Sequence, residues 1–381
     1  MQYRDVLYGP WELPEVIEKL MRTKQMARLR NITQSTLPNG LIVEGPMPSR
    51  FHHGLGVCYL ASLVVRHNQA LSDYKGLLLV AALLHDAGNP PFSHLSEHFL
   101  KEATGKNGES FLEVMLDGSE TEKVLKDFGM RTEEVVAMVT GSEKPLSEVL
   151  HGSMDLDNLD NVGRHNRFAH LTDATYDAQK IASSFFFNGA MWHLPESCFS
   201  DARVWQELRF RVYRHIYRSP HLNLAMMVYR ALEIAFCEEE IENDFFFHDD
   251  NTALSYLRAC NEKTARLVQS ATRWAWYDEV VSAEFQNPSE KLRTLSAHWK
   301  GRKRLADTIA EKLGVSQEKV CAYIGAGKEK RRIHMPFITK NARAFYDNSD
   351  ETPIYRVKVY VPNDLSEKKN AIHDIVLSEI S

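Results

Sequence analysis

Leu77-Leu78-Leu79-Val80-Ala81-Ala82-Leu83-Leu84-His85-Asp86-Ala87-Gly88-Asn89-Pro90-Pro91-Phe92-Ser93-His94 is the stretch on which the reading of this chain turns. Apolar residues run without a polar face into an adjacent His-Asp pair, and Gly88 and two prolines then stop the helix. A helix that is apolar all round is a buried helix. Ending such a helix in His-Asp is unusual, because a buried charge needs a partner. Two readings are open on these residues alone. One is a metal ion shared by both side chains. The other is a capped core helix whose His85 and Asp86 bond to backbone.

Working outward, Ser49 is a plausible N-cap for a helix that begins Arg50-Phe51-His52-His53-Gly54-Leu55-Gly56-Val57 and carries Leu60 and Val64 on the face of His53. Before it, Val16, Ile17, Leu20 and Met21 recur at helical spacing. Pro38-Asn39-Gly40 reads as a hairpin or irregular loop. Downstream, 110–127 and 132–140 carry helical patterns divided by Gly129, and 148–164 is another helix candidate. Residues 172–200 are aromatic and suit short strands. Two long helices follow over 201–237, broken near Ser219-Pro220, and another pair is expected over 251–285. The stretch 302–314 reads as a helix, Gly325 and Gly327 as a turn, and 331–337 as a strand. Tyr355-Arg356-Val357-Lys358-Val359-Tyr360-Val361 alternates as a strand does, and 371–380 closes the chain as a helix. The expected fold is mostly α, with a small α/β C-terminal portion. Its expected divisions are 1–45, an N-terminal extension; 46–290, a helical core; and 291–381, the α/β portion packed on that core.

With 381 residues, the chain is long enough to bury a sizeable core. A net charge of -5 gives no global basic field to attract nucleic acid or an anionic membrane. The five cysteines have no CxxC spacing, which argues against a disulfide framework and fits a reducing cytosol, so a cytoplasmic location is expected. Neither a signal-peptide core nor a membrane-spanning run is present, since a span needs ~20 apolar residues. Sixteen histidines, several beside acids, direct attention to metal chemistry.

Four side chains can be gathered from three helices: His53, His85, Asp86 and Asp157. Two imidazoles and two carboxylates suit one divalent transition metal per chain, Mn, Fe, Co, Ni or Zn, with Mg less suited because it prefers oxygen ligands. Such an ion activates water and polarises a phosphoryl oxygen.

The ordered segments Arg50 to Val57, His85-Asp86 with Pro91-Phe92-Ser93-His94, and Asp155-Leu156-Asp157-Asn158-Leu159-Asp160 resemble the HD-domain metal-dependent phosphohydrolases. Within them, the chain is most similar to the deoxynucleoside triphosphate triphosphohydrolases, including the SAM-and-HD-domain proteins. The likeness is strong over about residues 45–220. It implies an HD-domain helical bundle and the metal ligands His53, His85, Asp86 and Asp157. The implied reaction is hydrolysis of a nucleotide, a (deoxy)nucleoside triphosphate or a modified nucleotide, by metal-activated water, with Asp157 part of the catalytic centre. It implies phosphate contact by Arg50, and phosphate and sugar contacts by Arg209 and Tyr217, with Arg211 or Arg214 as other candidates for the clamp. His94 is implied beside the substrate phosphates. A homo-oligomer is also implied.

Three departures from the resemblance stand out. Asn89 occupies a position where the family has a proton-handling histidine, and asparagine cannot titrate. Lys106-Asn107-Gly108-Glu109-Ser110 lacks the family's downstream His-Glu pair. Asn158 and Asn161 stand where the family has a lysine and a tyrosine that touch phosphate and sugar. The remaining titratable candidate for a general acid is His94, with Glu97 to orient it. Asp160 and Arg164, four apart, read as a structural pair. Two other functions compete with the hydrolase. One is a two-metal HD phosphodiesterase or oxygenase drawing on His94, His98 and His151. The other is a degenerate HD regulatory protein that binds a nucleotide or nucleic acid through the basic segments 300–304 and 328–332.

Overall fold

The computed structural model describes residues 1–34, 41, 47–327 and 331–381. The Pro38-Asn39-Gly40 loop and most of the basic stretch at 328–330 lie outside them. Among the described residues there are seventeen α-helices against nine short strands, so the protein is mostly α.

The core of the molecule is a helical bundle around Arg50–His67, Lys75–Leu84 and Leu156–Phe168. The Lys75–Leu84 helix is buried from Leu78 onward, as its unbroken apolar run requires. It packs against Arg50–His67 so closely that a Cβ on Gly54 would lie 2.8 Å from the Leu83 carbonyl. The helix ends at Leu84, before the prolines, and His85 and Asp86 sit in the turn that follows. This places two polar side chains at the end of an apolar rod rather than along it.

Several local expectations change. Ser49 does occupy the N-cap position, but its hydroxyl meets His52 Nδ1 at 2.9 Å instead of capping the backbone. The span 110–127 is two helices, Gly108–Leu116 and Glu120–Asp127, divided at Gly118, whose φ of +63° suits glycine. The span 148–164 is α-helical only from Leu156, after a short 3-10 turn at Leu146–Val149. Asp155 stops the helix from starting earlier because its carboxylate caps Asn158 N at 2.7 Å. Gly325 and Gly327 lie within the strand Cys321–Gly327, not in a turn, and only Phe337–Ile338 of the 331–337 stretch is strand. Residues 278–285, grouped with a helix pair, form a strand. The long helices are Phe199–Arg218 and His221–Cys237, broken as expected by Ser219-Pro220.

The C-terminal sheet has Ile354–Val361 in the middle, antiparallel to Asp278–Phe285 on one side and Cys321–Gly327 on the other. One of its strands precedes residue 290, so the sheet draws chain from both sides of that point. Trp299–Leu313 and Lys369–Ile380 cover it with a separate apolar cluster. No helix among the described residues is long and apolar enough to cross a membrane.

Candidate metal centre and substrate chamber

His53 projects from the first turn of Arg50–His67, Asp157 from the first turn of Leu156–Phe168, and His85 and Asp86 from the turn after Lys75–Leu84. Their reactive atoms converge. His53 Nε2 lies 3.2 Å from His85 Nε2, 2.9 Å from Asp157 Oδ1 and 3.6 Å from Asp86 Oδ2. His85 Nε2 lies 3.4 Å from Asp86 Oδ2 and 3.9 Å from Asp157 Oδ1. The ligand atoms of His53, His85 and Asp157 all fall within 4.8 Å of one another.

Both imidazoles are oriented from behind. His53 Nδ1 donates to Asp160 Oδ2 at 2.7 Å, and His85 Nδ1 donates to the Ala82 carbonyl at 2.8 Å. Each ring therefore presents Nε2 toward its neighbour, the arrangement that metal-bound histidines show. Two Nε2 lone pairs facing each other repel unless a cation or a proton lies between them. Burial opposes a charged His53, but hydrogen bonds to Asp157 and Asp160 outweigh it and raise its pKa to about 9. Burial likewise opposes ionisation of Asp86. Arg50, His85 and His53 more than offset this and hold the carboxyl well below its ordinary range. Asp86 Oδ2 is buried and accepts no well-aligned hydrogen bond, although Arg50 Nη1 is 2.6 Å away. Two oriented imidazoles with carboxylate oxygens of Asp86 and Asp157 beside them fit a divalent ion.

Asp160 is more than a helix partner for Arg164. Arg164 grips it with Nε and Nη2 at 2.8 and 2.7 Å and also reaches Asp5 at 3.1 Å, while Tyr8 donates to its Oδ1 at 2.9 Å. Asp5, Asp160 and Arg164 are buried, and Tyr8 is half-buried. A Cβ on Gly56 would fall 2.1 Å from Asp160 Oδ1, so the glycine lets this carboxylate reach His53.

These four side chains open onto a chamber of about 570 Å³. Of the residues expected to bind substrate, Arg50, Asn89, Asn158, Asn161 and Tyr217 line it, as do His94 and Glu97. Several are already engaged. Arg50 Nε donates to Ser93 Oγ at 2.7 Å, and Asn89 Nδ2 donates to Asp86 Oδ1 at 2.5 Å. Asn89 is thus a brace for a ligand. Asn158 Nδ2 donates to Asp155 at 2.8 Å. Arg209 lies behind Tyr213, with its guanidinium carbon 4.2 Å from that ring's centre, and Tyr213 faces the chamber in its place. Arg211 and Arg214 are exposed on the other side of the same helix. His94 stands at the mouth with Nδ1 3.1 Å from Glu97 Oε2, and that hydrogen bond lowers the pKa of Glu97.

Sequence reasoning missed Gln34, Glu109, His165 and Tyr213, and placed Arg302 and Arg331 only in basic segments for a nucleotide effector or nucleic acid; all six line the chamber. His151, weighed only as a second-metal ligand, lies 3.6 Å from Glu109 at the chamber wall. The basic stretch at 300–304 is largely spent within the chain. Lys300 pairs with Glu102, Lys303 with Asp307 and Arg304 with Glu379. Arg302 turns inward over Tyr229 and Tyr323. Arg331 also turns inward and donates to the Gly152 carbonyl at 3.1 Å.

Residues 50–162 match the model of the HD domain, and residues 210–345 that of the HD associated region. An uncharacterized protein of Methanocaldococcus jannaschii is 24% identical over 298 residues, 76% of this chain and 61% of the relative. The deoxynucleoside triphosphate triphosphohydrolase SAMHD1 of Mus musculus is 30% identical over 156 residues, 36% of this chain and 23% of the relative. The chain thus spans less than two thirds of the length of these relatives. Among solved structures, a hypothetical protein from Aquifex aeolicus superposes with a TM-score of 0.75 at 20% identity, covering 98% of this chain and 99% of its own. A phosphohydrolase from Bacteroides thetaiotaomicron gives 0.72 at 17%, covering 95% and 100%. The fold is therefore shared from end to end, beyond the segments where the sequences match. With an HD domain carrying the His53–His85–Asp157 cluster and an HD associated region closing the chamber, this chain belongs to the HD-domain phosphohydrolase superfamily.

Proposed function

We propose that the protein is a metal-dependent phosphohydrolase that acts on a nucleotide, a (deoxy)nucleoside triphosphate or a modified nucleotide. The observation that carries this reading is the pair of Nε2 atoms 3.2 Å apart, each aimed by a bond at its own Nδ1, with carboxylate oxygens of Asp86 and Asp157 beside them. His53, His85, Asp86 and Asp157 would hold one divalent transition ion. Bound there, it would supply Lewis-acid polarisation of a phosphoryl oxygen and a lowered pKa for water.

The chain's own residues supply the rest. Asp160 and the Ala82 carbonyl keep the two imidazoles in the ligating tautomer. Arg50, buried beside Asp86, adds positive charge to the floor where phosphate oxygens would lie. As a water oxygen bonds to phosphorus and gives its proton to solvent, the old P–O bond breaks, its electron pair goes to the leaving oxygen, and His94 Nε2 protonates that oxygen while Glu97 holds Nδ1. His94 is exposed enough to regain its proton from solvent. The name of the mouse relative supports a nucleoside triphosphate.

The test is a screen of nucleotides with Mn, Mg, Fe, Co and Ni that reads orthophosphate, pyrophosphate and triphosphate separately. Triphosphate plus nucleoside identifies a triphosphohydrolase, and orthophosphate from monophosphates identifies a nucleotidase. Absence of all three products with every metal overturns the reading.

A further inference from the structure

Two successive residues of the chain after His85-Asp86 stand in the left-handed region, Phe92 at φ +61° and Ser93 at φ +52°. For a bulky side chain such as Phe92 this backbone is rare, and it persists only where surrounding bonds over-determine it. The double reversal sorts three neighbours. Phe92 enters the apolar cluster of Phe99 and Phe111 and is fully buried. Ser93 turns its hydroxyl to Arg50 Nε at 2.7 Å, and His94 goes out to the chamber mouth.

What holds this turn comes from far along the chain. Asp250 opens the helix Asp250–Cys260, inside the HD associated region, and is fully buried. Its Oδ1 accepts the Phe92 amide at 2.7 Å, and its Oδ2 accepts the Thr33 amide at 3.0 Å and the Thr33 hydroxyl at 3.3 Å. The Thr33 carbonyl in turn accepts Ser93 Oγ at 3.1 Å. Asp250 thus grips Phe92 directly and Ser93 through Thr33. A carboxylate suits the task, since it only accepts and its two oxygens have room for three donors. His94 is weakly anchored by comparison. Its side chain is 70% exposed and its ring is bonded to Glu97, so its place depends on the backbone of the two residues before it. Resting on the hydrolase reading above, we propose that Asp250 is a positioning residue that clamps the Phe92-Ser93 turn and so sets where His94 stands when it protonates the leaving oxygen. Arg50 has its own ion pair with Asp86 at 2.6 Å, so phosphate and metal binding depend on Asp250 less than proton transfer does.

The test is the kinetics of Asp250→Asn, His94→Ala and the double variant, with the nucleotide and metal that give most product in the screen. Asp250→Asn is expected to keep its metal and its KM and to lose about tenfold to a hundredfold in kcat, the cost of a reacting group displaced by about 1 Å. Once His94 is gone, the same change should cost less than about twofold, because the two residues act as one unit. Losses that multiply in the double variant, or a raised KM with kcat unchanged, overturn the proposal and leave Asp250 a determinant of folding only. Asp250→Ser, small enough to admit a water as acceptor, runs the same cycle if Asp250→Asn does not fold. Hydrogen exchange gives a readout free of activity. In the unaltered protein the Phe92 amide should exchange as slowly as the amides of the Lys75–Leu84 helix, and exchange about a hundredfold faster than those overturns the clamp. A screen without product overturns the hydrolase reading, and exchange at Phe92 then decides the clamp by itself.

Discussion

The two ends of the chamber are built differently. At the proposed metal end, His53 and His85 are each aimed by a bond from behind, and Asp160, Arg164, Asp5 and the half-buried Tyr8 form a brace that reaches back to the N-terminal segment. The opposite wall comes from the Phe199–Arg218 helix and from the region after it. It is made of rings and guanidinium groups stacked on each other: Arg209 on Tyr213, Arg356 on Tyr217, Arg302 on Tyr323. Stacking tolerates sliding, whereas a charged hydrogen bond in a dry site does not. The metal end is therefore fixed for chemistry, and the wall is the part that can be reshaped for a ligand.

Breaking the metal end should have the largest effect. His85→Ala and Asp157→Ala are expected to lose the bound metal, read by elemental analysis, and to reduce phosphate release roughly a thousandfold or more. Full metal content in both variants would mean the ligands are misassigned. One layer back, Asp160→Asn no longer accepts two charged donors and should weaken metal binding about 10- to 100-fold. Arg164→Leu leaves Asp160 and Asp5 buried without their cation and should lower the unfolding free energy by about 3–5 kcal/mol in denaturant titration.

A pH series sharpens the same end. In the metal-free protein, the pKa of His53 is raised from its ordinary value to about 9. The stability this contributes is present in full below about 6.5 and is lost as pH rises through about 9. An ion must displace that proton, so metal affinity should fall about tenfold for each pH unit below about 9, with proton release visible as a buffer-dependent binding heat. A pH-independent affinity would show that His53 is not a ligand. The smallest effect belongs to the wall. Arg331→Gln should raise the KM for a polyphosphate nucleotide about tenfold and leave metal content unchanged. A loss of metal in that variant would erase the distinction between the two ends.

The metal end was legible because its ligands sit in short, ordered motifs whose spacing reflects helix geometry. The apolar run from Leu77 announced a buried helix, and a buried helix that ends in His-Asp announced a shared partner. The wall was opaque for a physical reason. Arg331 and Tyr213 are ordinary in sequence, and only tertiary packing turns one inward and sets the other in front of Arg209. Asp160 was visible as half of an ion pair, but its contact with His53 crosses 107 residues and has no local signature. Asn89 looked like a lost catalytic group, whereas its bond to Asp86 makes it part of the scaffold. Boundaries failed where a cap outweighed periodicity, as at Asp155, and where glycines entered a strand, as at Gly325 and Gly327.

One side chain far upstream of the motifs bears on modularity. The Arg28 guanidinium donates to the carbonyl of Asn89 at 2.7 Å and to those of Phe246, Phe247 and His248 at 3.0–3.1 Å. It is a rivet through three pieces of chain: the N-terminal segment, the turn after His-Asp, and a loop some 160 residues beyond that turn. Cutting the protein at the edges of its recognised HD segment would withdraw the rivet and leave the ligand-bearing turn with bare carbonyls. A graft of residues 50–162 into another scaffold would carry every proposed metal ligand and still lack the means to hold His85 and Asp86 in register. The recognisable motif is thus smaller than the unit that can be exchanged, which includes Arg28 and the loop it fastens.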